Sequence, residues 1–420
     1  MADFEIRDEE LKKVYETKMQ KFKALCEQKV DDSQYFADAT VKRYAVTMEK
    51  VKRLLNEKEI KADVTDNLEN WMNQFLDICL KPTYEIALVG AIKAGKSTLI
   101  NALLGYEYAS TEVTPETAAL TKFKRANENY VKVSFYKSEE WDELWKSVNK
   151  AKASVFLEEY QEQNADSVKA DWIGHKPECI SCQSKEETAE VIKKWTSAKS
   201  PTHYFVKEVE VGISAISELN LPENVILVDT PGLDDVVEYR SDITKKYISR
   251  ANAVLVCVKA DTLTGPEMAT ILQVFEIAGK QRNKVFILAT QLDTLNHPKS
   301  DWEKQQAEWL KSLKGDTAFR GRKLAEKNLL SVSAYLFMLL AKWKDDEISD
   351  EEMADLKIIL MKLRIDPETY LKNSEQFEKL KLFSGIPALE TKIKEELING
   401  YQGRMAEEIA SKYDNRLSES

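Results

Sequence analysis

The sequence lacks three features that would place it in a common class of proteins. No run approaches the roughly 20 consecutive apolar residues that cross a bilayer. The first residues, Met1–Glu5, lack the basic and apolar segments of a secretory signal. There is no surplus of basic residues either, because 61 lysines and arginines face 71 aspartates and glutamates, for a formal net charge of -10. These absences predict a cytoplasmic protein that is not a general nucleic-acid binder.

Cysteine is another scarce residue, with five in 420 positions. An odd number spread over a long chain does not form a disulfide framework and suits a reducing compartment. Cys179 and Cys182 have the spacing of metal ligands, with His175 and His203 as conceivable further ligands. A tetrahedral zinc site needs four ligands, and the sequence has no second C-x-x-C motif. We therefore favour the interpretation that both cysteines are ordinary thiols in a helical insertion.

The composition suits a soluble globular protein with long helices, since 43% of the residues are hydrophobic and 31% are charged. The length allows two or three domains. Between residues 6 and 80, apolar residues recur every three or four positions and predict three helices. We predict an N-terminal helical segment over residues 1–82, an α/β domain over 83–340 and a C-terminal helical segment over 341–420, the two helical segments forming one stalk-like bundle.

Short β-branched runs separated by helices predict a mainly parallel central sheet in the α/β domain. The predicted strands are Tyr84–Val89, Ala119–Arg125, Tyr130–Tyr136, Val206–Ile213, Val225–Val228, Ala253–Val258, Lys284–Ala289 and Leu329–Val332. Residues 126–129 have the composition of a hairpin turn. Residues 138–201 are polar and lack strand signals, which predicts a helical insertion. Within it, Trp141, Leu144 and Trp145 are interpreted as core residues.

Directly after the first predicted strand, the sequence fits the phosphate-binding pattern G-x-x-x-x-G-K-[S/T]. The preceding strand and the following helix are the context that this pattern requires. Backbone N–H groups and the helix N-terminus would bind phosphates, Lys96 would reach the β- and γ-phosphates, and Ser97 would ligate Mg²⁺. The alternative is a plain tight strand-to-helix turn. The predicted nucleotide-binding residues of this loop are Gly90, Ala91, Ile92, Lys93, Ala94, Gly95, Lys96, Ser97 and Thr98.

A second motif, Asp229-Thr230-Pro231-Gly232, follows the apolar strand Val225–Val228. Asp229 is placed to hold Mg²⁺ through water, and the Gly232 N–H can bond to the γ-phosphate. The D-T-P-G form separates GTPases from most ATPases that share the phosphate loop. Both motifs together predict a protein that binds GTP with Mg²⁺.

A third group of residues is predicted to bind the base. Thr290-Gln291-Leu292-Asp293 resembles the guanine-reading motif [N/T]-K-x-D, in which the carboxylate accepts hydrogen bonds from guanine N1 and the exocyclic amine. Gln291 departs from the usual lysine, which puts nucleotide affinity rather than base choice in question. Ser331-Val332-Ser333-Ala334 matches the remaining base-contact loop, with Ser333 and Ala334 as its predicted contact residues.

The first switch is predicted between residues 110 and 118. A threonine of this segment is expected to ligate Mg²⁺ and close over the γ-phosphate, and we favour Thr117 over Thr114. The alternative is that these threonines only cap turns. The predicted Mg²⁺ ligands are therefore Ser97, Thr117 and, through water, Asp229.

In these motifs and their order, the chain resembles GTPases of the dynamin superfamily, most closely its bacterial dynamin-like members. The resemblance covers about residues 84–400 and rests on G-A-I-K-A-G-K-S-T-L-I-N-A-L-L-G, V-T-P-E-T-A-A-L-T, V-I-L-V-D-T-P-G-L, A-T-Q-L-D and F-S-G-I-P-A-L-E. It implies a P-loop GTPase domain with a helical neck or stalk, GTP hydrolysis with weak nucleotide affinity, dimerisation through the GTPase faces and, often, membrane remodelling.

The sequence departs from the GTPases that it resembles at the positions that orient the attacking water. Leu233 stands where small GTPases have a glutamine, and Ile92 and Lys93 stand where other dynamins have a polar pair. Lys93 is either a source of positive charge for the phosphates, in one chain or across a dimer, or a solvated surface lysine. The predicted catalytic residues are Lys96, Lys93 and Thr117.

The predicted function is a GTPase that binds GTP and GDP, pairs with itself or with a related dynamin-like protein, and acts on membrane lipids at the periphery of a membrane. Two alternatives remain. An adaptor subunit of another dynamin-like protein fits the short segment after the GTPase domain, which offers no lipid-binding tip. A regulatory GTPase of ribosome or RNA maturation shares the phosphate motifs but usually adds a basic domain.

Overall fold

The structure is a computed structural model and describes residues 8–35, 39–56, 66–80, 83–91, 93–109, 119–197, 199–214, 224–233, 237–261, 263, 265–367, 371 and 373–398. The chain divides into two compact units, one with the N-terminal helices and one that runs from Tyr84 to Leu397.

Among its described residues, the first unit has the three helices that were predicted: α1 (Glu9–Glu27), α2 (Ala39–Leu55) and α3 (Asp66–Leu80). Helices α2 and α3 pack through one apolar cluster, which also includes the preceding Tyr35: Tyr35, Val41, Ala45, Met48, Met72, Phe75, Leu76 and Cys79. No side chain of α1 is buried, and apolar residues of this helix such as Leu11 and Tyr15 are exposed.

The second unit is built on a nine-stranded sheet. Its strands are β1 (Tyr84–Val89), β2 (Leu120–Arg125), β3 (Asn129–Phe135), β4 (Glu178–Cys182), β5 (Val206–Ile213), β6 (Val225–Asp229), β7 (Ala253–Lys259), β8 (Val285–Thr290) and β9 (Leu329–Ser331). They lie in the order β4-β3-β5-β2-β6-β1-β7-β8-β9. Strands β6, β1, β7, β8 and β9 are parallel, whereas β2 is antiparallel to β6, and β3 is antiparallel to β4 and β5. The predicted α/β fold with a mainly parallel central sheet is confirmed.

Two sequence interpretations are wrong. Residues 126–129 do not close a hairpin, because β5 lies between β2 and β3 and is parallel to β2. The segment 138–201 is not purely helical, because Glu178–Cys182 forms the edge strand β4 against β3. Cys179 and Cys182 therefore lie on a strand, where an odd spacing places side chains on opposite faces. Cys179 is exposed and Cys182 is buried.

The helices of the second unit cover the sheet and continue beyond it. They are α4 (Lys96–Leu104), α5 (Ser138–Ala151), α6 (Ser154–Glu162), α7 (Lys169–Trp172), α8 (Lys185–Thr196), α9 (Glu238–Arg250), α10 (Gly265–Ala278), α11 (Pro298–Leu313), α12 (Arg322–Asn328), α13 (Ala334–Lys344), α14 (Asp350–Lys362), α15 (Ser374–Phe383) and α16 (Ile386–Lys392). The strands β1, β6, β7 and β8 are almost wholly buried, as expected for a parallel sheet with helices on both faces.

The inserted helices form an aromatic core of their own. Trp141 and Leu144 are buried in it and Trp145 packs against it, so their interpretation as core residues is confirmed. The cluster also takes in Val237, the residue before α9. The insertion therefore packs against the start of the helix that follows the D-T-P-G motif.

The C-terminal helices α13 to α16 belong to the same unit as the sheet. A capping box starts α14, where the Ser349 hydroxyl accepts from the Glu352 N–H and the Glu352 carboxylate accepts from the Ser349 N–H. Helices α14 and α15 share an apolar core with α13, and α13 spans residue 340. The structure therefore does not divide at the predicted boundary of residue 340. A joint stalk of the two terminal segments stays a prediction, since residues 399–420 lie outside the described residues.

Across the described ranges, no helix has both the length and the apolar character to span a membrane.

Candidate nucleotide-binding site

The predicted nucleotide-binding motifs meet at one edge of the sheet. The phosphate loop follows β1, Asp229 ends β6, Thr290 ends β8, and Ser333 lies two residues after β9. These strands are parallel, so their carboxyl ends share an edge, which is where open α/β sheets bind ligands. Residues far apart in the sequence are thereby brought to one site.

The phosphate loop is held closely against β7 and carries a buried lysine. A Cβ atom on Gly90 would lie 2.4 Å from the carbonyl oxygen of Cys257, so a larger residue does not fit at that position. Lys96 is 8% exposed, and its Nζ donates to the carbonyl oxygens of Gly90 at 3.0 Å and Ala91 at 3.1 Å. These carbonyls hold the ammonium group at the loop where phosphates are predicted to bind.

Two residues of this loop region adopt left-handed backbone conformations and contact each other. Lys93 has a φ of 64° and Gln291 a φ of 60°. Such conformations cost residues other than glycine about 1–2 kcal/mol each. The Gln291 Nε2 donates to the Lys93 carbonyl oxygen at 2.8 Å, and the Thr290 hydroxyl donates to the Ala94 carbonyl at 2.7 Å. The base-reading segment therefore supports the phosphate loop, and Gln291 supplies this support without a charge.

Asp229 has the environment of a carboxylate that a cation would stabilise. It is 2% exposed, and its Oδ1 has no hydrogen-bond partner among the described residues. Burial raises the pKa of Asp229 to about 6, and the Lys96 ammonium opposes that shift. A buried oxygen without a partner fits a role in binding Mg²⁺ or its water shell, together with the Ser97 hydroxyl at the start of α4.

The D-T-P-G loop is fastened to the sheet and to α9. The Thr230 hydroxyl donates to the Leu88 carbonyl oxygen at 2.8 Å, and the Thr244 hydroxyl donates to that of Pro231 at 2.9 Å. Leu233 is 3% exposed and packs in the main core with β1 and β7 residues. The side chain at this position therefore points away from solvent and has no part in holding a water molecule.

The two base-contact loops are joined by a hydrogen bond between the predicted residues. The Ser333 hydroxyl donates to Oδ1 of Asp293, and both side chains are buried. The Ser333 N–H donates to the Ser384 carbonyl oxygen at 2.7 Å. The Asp293 carboxylate is thus held by a hydroxyl donor where guanine N–H donors are predicted to bind.

The structure leaves several predicted site residues untested. Thr114, Thr117 and the rest of residues 110–118 lie outside the described residues, and so does Ile92. The assignment of Thr117 to Mg²⁺ stays a prediction. Gly232 and Ala334 are described and lie in the predicted loops.

The sequence did not reveal two residues, distant in the chain, that contact the predicted base loops. Lys362, the last residue of α14, donates to the backbone carbonyls of Asp293 at 3.0 Å and Thr294 at 3.3 Å. Gly385 approaches Ser331 so closely that a Cβ atom would lie 2.0 Å from its carbonyl oxygen. The motif Phe383–Pro387 contained a signal for Gly385, because glycine before Ile-Pro marks a turn. Nothing in the sequence around Lys362 marks its contact.

Comparisons with known proteins identify the central domain. Residues 86–289 match the family described as the dynamin family. Over 277 residues the chain is 29% identical to dynamin-like protein 1 of Campylobacter jejuni strain 81-176, which covers 65% of this chain and 36% of that protein. Over 222 residues it is 23% identical to the bacterial dynamin-like protein of Nostoc punctiforme, which covers 51% of this chain and 27% of that protein.

A solved structure also matches most of the chain. It is described as an oligomerised bacterial dynamin pair that provides a mechanism for long-range sensing and tethering of membranes. The match covers 93% of this chain and 64% of the chain in that structure, with 21% sequence identity and a TM-score of 0.46. The chain spans less than half the length of the curated relatives it matches.

Proposed function

We propose that the chain, whose residues 86–289 match the dynamin family, binds GTP with Mg²⁺ and hydrolyses it to GDP and phosphate. The observation that carries this proposal is the meeting of Lys96, the buried Asp229 and the Asp293–Ser333 pair at one edge of the sheet.

The residues of the phosphate loop have distinct tasks in this proposal. Lys96 exchanges its carbonyl contacts for the β- and γ-phosphates and neutralises charge there. Ser97 and Asp229 would hold Mg²⁺, which when bound neutralises charge that develops on the phosphates. The N-terminus of α4 adds its backbone N–H groups. The buried Asp229 carboxylate is costly to ionise without a partner, and a cation held beside it would offset that cost.

The base loop explains a preference for guanine. The Asp293 carboxylate accepts hydrogen bonds only, and guanine offers two adjacent donors, N1–H and the exocyclic amine. Adenine does not offer that pair. The Ser333 hydroxyl, now bonded to Asp293, keeps the carboxylate oriented toward the base position.

Binding of fluorescent GTP and ATP, together with phosphate release, tests this function. We expect Mg²⁺-dependent binding and turnover of GTP and weak binding of ATP. Lys96→Ala should abolish both GTP binding and turnover. Asp293→Asn should shift the preference from GTP to xanthosine triphosphate, because an amide donates to the xanthine 2-carbonyl. Equal binding of ATP and GTP by the unaltered protein would refute the assignment.

We further propose that GTP-loaded heads dimerise and that this moves the helical segments, with membranes as the target. The supporting observation is that Lys362 of α14 contacts the Asp293 segment and that Asp355 of α14 contacts Tyr335 of α13, so nucleotide-driven changes have a path into the C-terminal helices. Co-sedimentation with anionic vesicles, with GDP or with a non-hydrolysable GTP analogue, tests the membrane claim. Recovery in the pellet only with the GTP analogue is expected, and no pelleting in either state would contradict it.

A further inference from the structure

Helix α14 contacts the Asp293 segment and the first turn of α13 with the same face. Asp355 and Lys362 are seven residues apart, which is two helical turns. The Tyr335 hydroxyl, one residue after Ala334, donates to the Asp355 carboxylate at 2.7 Å. The Lys362 ammonium donates to the carbonyls of Asp293 and Thr294. One helix outside the sheet is therefore joined directly to the predicted loop that carries Asp293, and to the helix that begins at Ala334 of the other predicted loop.

This helix is firmly placed within its unit. Its inner residues share an apolar cluster with α13 and α15: Leu336, Leu339, Leu340, Leu356, Ile359, Leu360, Leu371, Phe377 and Leu380. The Lys342 ammonium of α13 lies 2.5 Å from the Glu352 carboxylate of α14 and 2.7 Å from that of Glu107. Lys362 thus reaches the base loop from a rigid support rather than from a mobile surface.

We propose that Lys362 is a positioning residue for guanine, which fixes the Asp293 segment so that its carboxylate meets the base. This inference rests on the function proposed above and extends it to a residue outside the family match. The ammonium group binds two carbonyl oxygens that follow one another in the chain, so it sets the orientation of the peptide that carries the Asp293 side chain. A hydrogen bond from a charged donor is stronger than one between neutral groups, and here two of them act on the same turn.

The consequence is specific for the base. If the Asp293 carboxylate shifts, the hydrogen bonds to guanine N1–H and to the exocyclic amine weaken together. Inosine triphosphate lacks the exocyclic amine and has only one of these bonds to lose. Loss of Lys362 should therefore weaken the binding of GTP more than the binding of inosine triphosphate. A general loosening of the fold would weaken the binding of both nucleotides to the same extent.

The experiment compares Lys362→Met, Lys362→Arg and the control Lys357→Met, an exposed lysine elsewhere on α14. Dissociation constants for GTP, GDP and inosine triphosphate are measured with kcat, KM and the melting temperature. For Lys362→Met we expect at least about tenfold weaker GTP and GDP binding and a raised KM at unchanged kcat, the size of one lost charged hydrogen bond. The ratio of inosine triphosphate to GTP dissociation constants should fall.

Lys362→Arg should restore GTP binding to within about twofold of the unaltered protein, because arginine keeps the charge and donors, and Lys357→Met should change nothing. Normal GTP binding by Lys362→Met, or equal weakening of GTP and inosine triphosphate, would overturn this inference while leaving the proposed function intact. Failure of the unaltered protein to bind GTP would refute both.

Discussion

Among single residues, Asp229 is a carboxylate whose ionisation is opposed by burial. Its pKa is raised to about 6 by burial, above the ordinary 3.8. A raised carboxyl pKa means that the folded protein is favoured while the group is protonated, and that this advantage is lost as the pH rises through 6. Above pH 6 the ionised group lowers the free energy of unfolding by roughly 3 kcal/mol, about two pKa units.

The first prediction concerns Asp229→Asn without nucleotide or Mg²⁺. Asparagine has no charge to bury, so the variant should be more stable than the unaltered protein, with an advantage that grows by roughly 1–2 kcal/mol between pH 5 and pH 7.5. Thermal unfolding in EDTA at both pH values measures this. The exposed Asp261→Asn serves as the control and should show no such growth. A constant difference across pH would contradict the prediction.

The second prediction concerns Leu233, where small GTPases carry a glutamine. Leu233 is buried in the main core, and the Ser241 hydroxyl binds its carbonyl oxygen at 3.0 Å. Leu233→Gln would therefore bury an amide instead of placing it near a phosphate. We expect a loss of about 2–3 kcal/mol in stability and no gain in turnover. Denaturant unfolding and phosphate release measure both quantities, and faster hydrolysis in the variant would show that the side chain does reach the site.

At the scale of elements, a glycine at the start of α16 holds a base-contact loop. Gly385 has a φ of 73°, and a Cβ there would collide with the Ser331 carbonyl oxygen. The same turn supplies the Ser384 carbonyl that accepts from the Ser333 N–H. The loop that carries Ser333 therefore depends on the absence of a side chain at residue 385.

The third prediction compares Gly385→Ala with Gly174→Ala. Gly174 has nearly the same φ, 74°, but nothing lies within 4 Å of an added Cβ. Gly174→Ala should cost about 1 kcal/mol from backbone strain alone, and leave nucleotide binding unchanged. Gly385→Ala should cost about 3 kcal/mol and weaken GTP binding. Equal costs in thermal unfolding would show that the Ser331 contact has no influence.

The elements that were predicted correctly are those with strong local patterns. Strands β1 and β5 have the predicted bounds, because a mostly apolar run marks β1 and recurrent valines mark β5. Strand β4 was missed because Glu178–Cys182 is a half-exposed edge strand with little β-branched character. The hairpin was wrong because residues 126–129 give no sign that β5, about 80 residues later, pairs between the two strands.

The residues of the candidate site also fall into two groups, those with a local sequence pattern and those without one. Lys96, Asp229 and Asp293 could be proposed from the sequence because each belongs to a short motif beside a strand, and local chemistry fixes the spacing. The contact of Lys362 with the Asp293 carbonyl joins residues 69 positions apart. Such a contact depends on how α14 packs, which no local pattern records.

At the scale of the whole molecule, the net charge of -10 bears on assembly. Two copies of this chain repel one another at long range. The Debye length falls from about 30 Å at 0.01 M salt to about 8 Å at 0.15 M, so head-to-head dimerisation should be stronger at 0.15 M. Sedimentation velocity with GDP and aluminium fluoride at both salt concentrations tests this, and stronger dimers at low salt would point to an attractive charge pattern across the interface.

The last prediction links the dimer to Lys93. This lysine is exposed in the phosphate loop, and its left-handed backbone is fixed by the Gln291 side chain, so its position is set before nucleotide binds. If its charge acts on the phosphates, Lys93→Ala should lower GTP turnover by at least about tenfold under dimerising conditions, since a finger-type cation contributes a thousandfold or more. The control is Lys152→Ala, at another exposed lysine with a positive φ of 50°. Full turnover by a dimerising Lys93→Ala variant would exclude the catalytic role and leave Lys93 as a solvated surface residue.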